Sequence, residues 1–174
     1  MVSRLHAARD LKQILDVAVA DVLALLGSER GNIQLLDRKG RLVIVAQLGL
    51  SREFLTAFRR VKLTEGSICA RAAGEKKVVF VPDVEKDAEF APYVQLARKI
   101  PFRSVVSSPI VTADGTFIGV VSAHSANLFA PTDLELQTLS NYCTELAHHL
   151  SRQLKADRQE IAEALSAELL AARR

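Results

Sequence analysis

Residues 102–127 read FRSVVSSPIVTADGTFIGVVSAHSAN, and this stretch decides the fold. Two apolar runs flank the break Ala113-Asp114-Gly115-Thr116. Asp-Gly between β-branched runs is a strong hairpin signal, because the turn needs a positive φ that glycine adopts without a clash. Strands are expected over 103–112 and 116–125. Both are too apolar for a sheet with one wet face, so cover is expected on both sides. Ser104, Ser107, Ser108, Gly119, Ser122 and Ala123 punctuate the runs and leave room beside the sheet for a helix or a ligand.

Working outward, the N-terminal side supplies more strands and their cover. Apolar groups recur at helical spacing over 4–26, with Ser3 as the expected N-cap and Gly27 as the stop. Residues 32–36 and 41–47 read as strands joined by Asp37-Arg38-Lys39-Gly40. Ser51 can cap a short helix that buries Phe54, Leu55 and Phe58. TEGSICARAAGEKK then gives a turn at Gly66, a helix over 67–73 and a stop at Gly74. A short buried strand over 78–81 ends at Pro82, an acidic surface loop covers 83–90, and a helix runs over 92–99. Downstream, Thr132 and Glu135 form a capping box. No Gly or Pro follows, so one long helix is expected from there to Arg174. This order gives an α+β domain with a mainly antiparallel sheet and terminal helices packed on one face.

Composition narrows the class. The chain has 174 residues, 49% of them hydrophobic, with a net charge of +3. That supports one domain with a sizeable core, taken as 1–150, and a C-terminal helical extension over 151–174 for signalling or dimerisation. Basic residues are scattered and lack interleaved aromatics, which argues against nucleic acid. No stretch is long enough to span a membrane. Cys69 and Cys143 form no Cys-x-x-Cys pair. A cytoplasmic protein with reduced thiols is the expectation.

Four pieces, in order, resemble a GAF domain: GNIQLLDRKGRLVIVAQLG, EGSICARAAGEKKVVFVPDV, FRSVVSSPIVTADGTFIGVVSAHS and APTDLELQTL. They cover about residues 5–150. The resemblance implies a five- or six-stranded antiparallel sheet, terminal helices on one face and a small-molecule pocket on the other. The subtype it suggests occurs in bacterial sensor histidine kinases and related signalling proteins, which often show Ser-x-Cys in the first pocket helix and a histidine near the end of the last strand. Here these are Ser67-Ile68-Cys69 and His124. The implied role is a non-catalytic sensory module in a two-component system, with a histidine kinase or other signalling protein as partner. Two alternatives stand beside it: an enzyme like the GAF-type free methionine-R-sulfoxide reductases, and a dimerisation scaffold without ligand.

The expected ligand-binding set is Cys69, Tyr93, Val105, Ser107, Ser122 and His124. Strand alternation places Ile118, Val120, Ser122 and His124 on one face. Bilin-binding GAF domains hold a chromophore-contacting histidine at the position matching His124, but residues 90–102 contain no cysteine for covalent attachment. The cofactor therefore stays open. Reductases of this type need a catalytic cysteine in the loop matching 83–94, and DVEKDAEFAPYV has none. A lone imidazole is no metal site. His148 and His149 are helix neighbours about 100° apart, read as surface or interface residues.

Assembly follows from length. One helix over 132–174 would reach about 64 Å at ~1.5 Å per residue, about twice a small domain's ~30 Å. Its apolar positions continue through Leu154, Ile161, Leu165 and Leu169, interrupted at Asp157 and Arg158. A homodimer held by the terminal helices is the expectation, with a tail folded back on its own domain as the alternative.

Overall fold

The computed structural model describes residues 2–154 and 158–171. In chain order its elements are α1 (Val2–Ala7), α2 (Leu11–Leu25), β1 (Arg30–Leu36), β2 (Arg41–Leu48), α3 (Arg52–Ala57), β3 (Arg60–Lys62), α4 (Ile68–Glu75), β4 (Val79–Val81), a 3-10 turn (Ala91–Tyr93), α5 (Val94–Lys99), β5 (Ser104–Val111), β6 (Phe117–Ser125), α6 (Asp133–Gln153) and α7 (Arg158–Ala171). The α+β class and the antiparallel sheet are as expected.

The β5–β6 hairpin closes through Gly115 at φ 85°, with Gly115 N donating to Thr112 O at 2.9 Å. The six strands run in the order β3-β2-β1-β6-β5-β4, so β1 and β6 form the middle and two three-residue strands form the edges. Register sets the face. Ser107 pairs with Ser122, Val105 with His124, and Asn32 with Ser122. Two bulges break strict alternation. Val45 is the extra residue opposite Ile33 and Gln34, and Ile118 the extra residue opposite Ile110 and Val111. The second bulge corrects the alternation read from sequence: Ile118 packs in the helical layer, while Val120 packs on the opposite face.

The helical layer consists of α2 and α6 lying on one face of the sheet. Ile14, Leu15 and Val22 meet Leu139, Leu146 and Leu150 above Ile33, Leu35 and Val121. Asp21 is buried there and ties three helices together: the Tyr142 hydroxyl donates to it at 2.9 Å and Arg4 Nη1 at 2.6 Å.

Four helix boundaries differ from expectation. The N-terminal helix is two helices, because Asp10 turns extended and accepts from Gln13 N at 2.8 Å, capping α2 in place of Ser3. Helix α4 runs through Gly74 to Glu75, and Lys76 takes the left-handed position at φ 50°. The helix expected from Pro92 opens as a 3-10 turn before α5. Finally, α6 ends at Gln153, with Leu154 as its cap residue; the interruption at Asp157 lies outside the described residues. Helix α7 lies back across β2 and β1, burying Ala162 and packing Ile161 and Leu165 against the helical-layer core. The distal apolar positions Ile161, Leu165 and Leu169 are thus partly covered within the chain itself. No described helix is long and apolar enough to cross a membrane.

Candidate functional site

The opposite face of the sheet carries a second apolar cluster, roofed by α3, α4, α5 and the 82–93 loop. A cavity lies between floor and roof. Its floor is Asn32 and Gln34 of β1, Val105 and Ser107 of β5, and Ser122 and His124 of β6. Its roof is Phe54, Phe58, Ser67, Ile68, Cys69, Phe90 and Phe102. The free lumen is about 20 Å³, space for about one water molecule. Among the described residues, no Lys, Arg, Asp or Glu lines it.

His124 closes one end of the floor, level with Val105, while Ser122 lies between Asn32 and Ser107. Phe54 and Phe102 meet its ring edge-on, with centroids 4.9 and 5.2 Å away. Both ring nitrogens are buried and make no hydrogen bond among the described residues. Burial pushes its pKa down to about 3, and the Arg30 charge adds to the effect. The imidazole is therefore neutral at pH 7. Asn32 Oδ1 and Gln34 Oε1 are likewise buried without a partner among the described residues. Ser107 and Ser122 share a hydrogen bond at 2.8 Å. An unmet buried polar group costs about 1–3 kcal/mol, so this concentration on one cavity wall marks it out from the rest of the core.

The roof loop is tied down by ion pairs. Arg71 Nη1 donates to both Asp87 oxygens at 2.8 and 2.9 Å, and Asp87 Oδ1 also accepts from Phe90 N at 2.9 Å. Arg103 Nη2 donates to Asp83 Oδ2 at 2.8 Å. The acidic stretch expected as a plain surface loop thus holds Phe90 inward, almost fully buried over the cavity.

Five of the six sequence-derived candidates, Cys69, Val105, Ser107, Ser122 and His124, share the cavity wall. Tyr93 does not. Its ring packs on Phe58 and Phe90 from outside, and its hydroxyl donates to Glu65 Oε2 at 3.0 Å. The 3-10 turn aims it there, where the hydroxyl finds an acceptor. Sequence reasoning missed Asn32 and Gln34. The available signal was a period-two polar pair inside an otherwise apolar strand. The cysteines sit on opposite faces: Cys69 on the cavity, Cys143 in the helical layer. Burial raises the pKa of Cys69, only partly offset by the Ser67 hydroxyl 3.4 Å away, and pushes Cys143 up to about 12. Neither is poised as a thiolate.

The GAF domain family profile matches residues 8–151. No curated protein matches significantly. Among solved structures, a methyl-accepting chemotaxis protein fragment, residues 122 to 287, superposes with a TM-score of 0.68 at 25% identity, covering 89% of this chain and 98% of that one. The GAF domain of an Acinetobacter phosphoenolpyruvate-protein phosphotransferase superposes at 0.72 with 17% identity, covering 89% and 90%. The free methionine-R-sulfoxide reductase of Neisseria meningitidis, solved with its substrate, superposes at 0.68 with 20% identity, covering 94% and 86%.

Proposed function

The chain belongs to the GAF domain family, a regulatory and sensory fold of signalling proteins, and from that premise we propose that it is a non-catalytic sensor of a small neutral molecule. One observation carries the proposal: His124, Asn32 and Gln34 turn unpartnered, uncharged polar atoms onto one aromatic-walled cavity. A few convergent polar groups in an apolar pocket are what a small-molecule site needs. The lumen has room for only about one water, so binding a larger molecule lifts the Phe90 loop off its floor. A charged ligand would lose its hydration with no opposite charge to meet it. A neutral one that donates hydrogen bonds to Asn32 and Gln34 and exchanges one with His124 fits the lining.

Output passes to a signalling partner through α1, α2 and α6, in the cytoplasm and as a homodimer. Leu134, an exposed apolar group on α6, supports assembly on this side. Light scattering should give the mass of two chains at tens of micromolar; the mass of one removes the dimer.

Native mass spectrometry of freshly purified protein tests the pocket. We expect one small-molecule adduct per chain, lost in His124→Phe, which keeps the ring contacts and removes both nitrogens. A bare mass, together with no thermal shift across a panel of neutral heteroaromatic compounds, overturns the sensor reading. The reductase reading is favoured by the Neisseria enzyme's fold and opposed by the placement of the cysteines, since a sulfenate at Cys69 would have no nearby thiol to resolve it. Burial also raises the Cys69 pKa and keeps it a thiol, so free methionine-R-sulfoxide should not be reduced even with dithiothreitol, which could itself resolve a sulfenate; turnover lost in Cys69→Ser would reverse that assignment.

A further inference from the structure

Far from the cavity, three side chains with ligating atoms converge where α1 packs on α6. Glu145 and His149 are four residues apart on α6 and therefore share a face. His6 on α1 lies against them, its ring centroid 4.9 Å from that of His149. One ligand atom from each of the three lies within 4.8 Å of the others. His149 Nε2 is buried and makes no hydrogen bond among the described residues.

We propose that His6, Glu145 and His149 bind a divalent transition-metal ion of the zinc class. Two imidazoles and a carboxylate suit zinc and its neighbours, whereas magnesium and calcium favour oxygen donors throughout. Around a tetrahedral ion with bonds of about 2.1 Å, ligand atoms sit about 3.4 Å apart. His6 and Glu145 are exposed and His149 is partly so, leaving the side chains free to close that difference by rotation. His148 is outside the group; its ring centroid is 6.2 Å from that of His149. Three protein ligands leave a fourth position for water or a donor from another molecule. The ion would clip α1 to α6, adding to the buried Leu5 and the Arg4–Asp21 ion pair that hold this short helix.

The test uses the full chain, stripped with EDTA and desalted. Zinc is titrated by calorimetry, and cobalt(II) is followed by its visible absorption, which is intense in tetrahedral and weak in octahedral coordination. One ion per chain is expected, with a zinc-dependent rise in Tm. Affinity should fall about tenfold or more in each of His6→Ala, Glu145→Gln and His149→Ala, and stay unchanged in His148→Ala. His6 and Glu145 are exposed, so those two variants keep the fold, with circular dichroism as the check. Absence of saturable one-to-one binding overturns the site. So does undiminished binding in His6→Ala, or an equal loss in His148→Ala, which would mean scattered surface histidines only.

Discussion

Between pH 7 and pH 5 the fold should lose about 2 kcal/mol of stability, with His124 as the main source. Its ordinary pKa is 6.5, and burial pushes the folded value down to about 3. Below pH 6.5 the unfolded chain takes up a proton that the folded chain refuses. The stabilisation is therefore complete above 6.5 and is lost as pH falls toward 3. At about 1.36 kcal/mol per unit, the 1.5 units down to pH 5 give roughly 2 kcal/mol. His149, also depressed, acts in the same direction. Asp37, Asp83 and Asp87 have lowered values, so their contributions persist above about 3.8 and fade only in more acid solution. Between pH 7 and pH 5 the histidine window is therefore sampled without the aspartates. Urea unfolding at pH 7, 6 and 5 measures the slope, and His124→Phe should flatten most of it. That variant should equal or exceed the parent in stability at pH 7, because it deletes two unpartnered nitrogens and keeps the contacts with Phe54 and Phe102. Parallel slopes for parent and variant would show that His124 is not the sensitive group.

Gly119→Ala should cost about 3 kcal/mol or more, the upper range for forcing atoms into a packed interior. A Cβ at Gly119 would lie 2.0 Å from the Gln34 carbonyl oxygen and 3.0 Å from Leu35 Cδ2. The first obstacle is backbone in the neighbouring central strand, with Leu35 opposite Gly119 in the ladder, so neither side can swing away. Relief requires parting β1 from β6, the two strands that carry Asn32, Gln34, Ser122 and His124. Gly74→Ala is the contrasting case. It sits inside α4, where an added Cβ would meet nothing within 4 Å, and should gain about 0.5–1 kcal/mol from helix propensity. Thermal unfolding of both variants checks the pair; equal small effects would refute the steric account.

The hairpin, the capping box at Thr132 and the Ser51 cap were legible because each is a local signal confined to a few residues, and each forms as read. His124 and Ser107 were legible as neighbours because antiparallel pairing across a short turn fixes register. What escaped depends on distance in the chain. The bulge at Ile118 has no residue that announces it; the partner strand imposes it. Asn32 gains its meaning only from lying opposite Ser122, on the order of ninety residues further along the chain, which local reading cannot supply. The return of α7 onto β2 depends on which part of the sheet α2 and α6 leave uncovered. The approach of His6 to His149 depends on how the two ends of the chain pack.

The edges of the sheet bear on how this chain meets copies of itself. A long open edge is a template on which a stranger's backbone can lay down a further strand, and growth by that route has no natural end. Here the outermost ladders are Arg60–Lys62 and Val79–Val81, three residues each. The first carries two cations, and the second is followed at once by Pro82, which has no N–H to offer. A visiting strand would gain only a few hydrogen bonds at either margin before running out of partner. Crowded copies are thereby steered away from fibre-like accretion by strand addition.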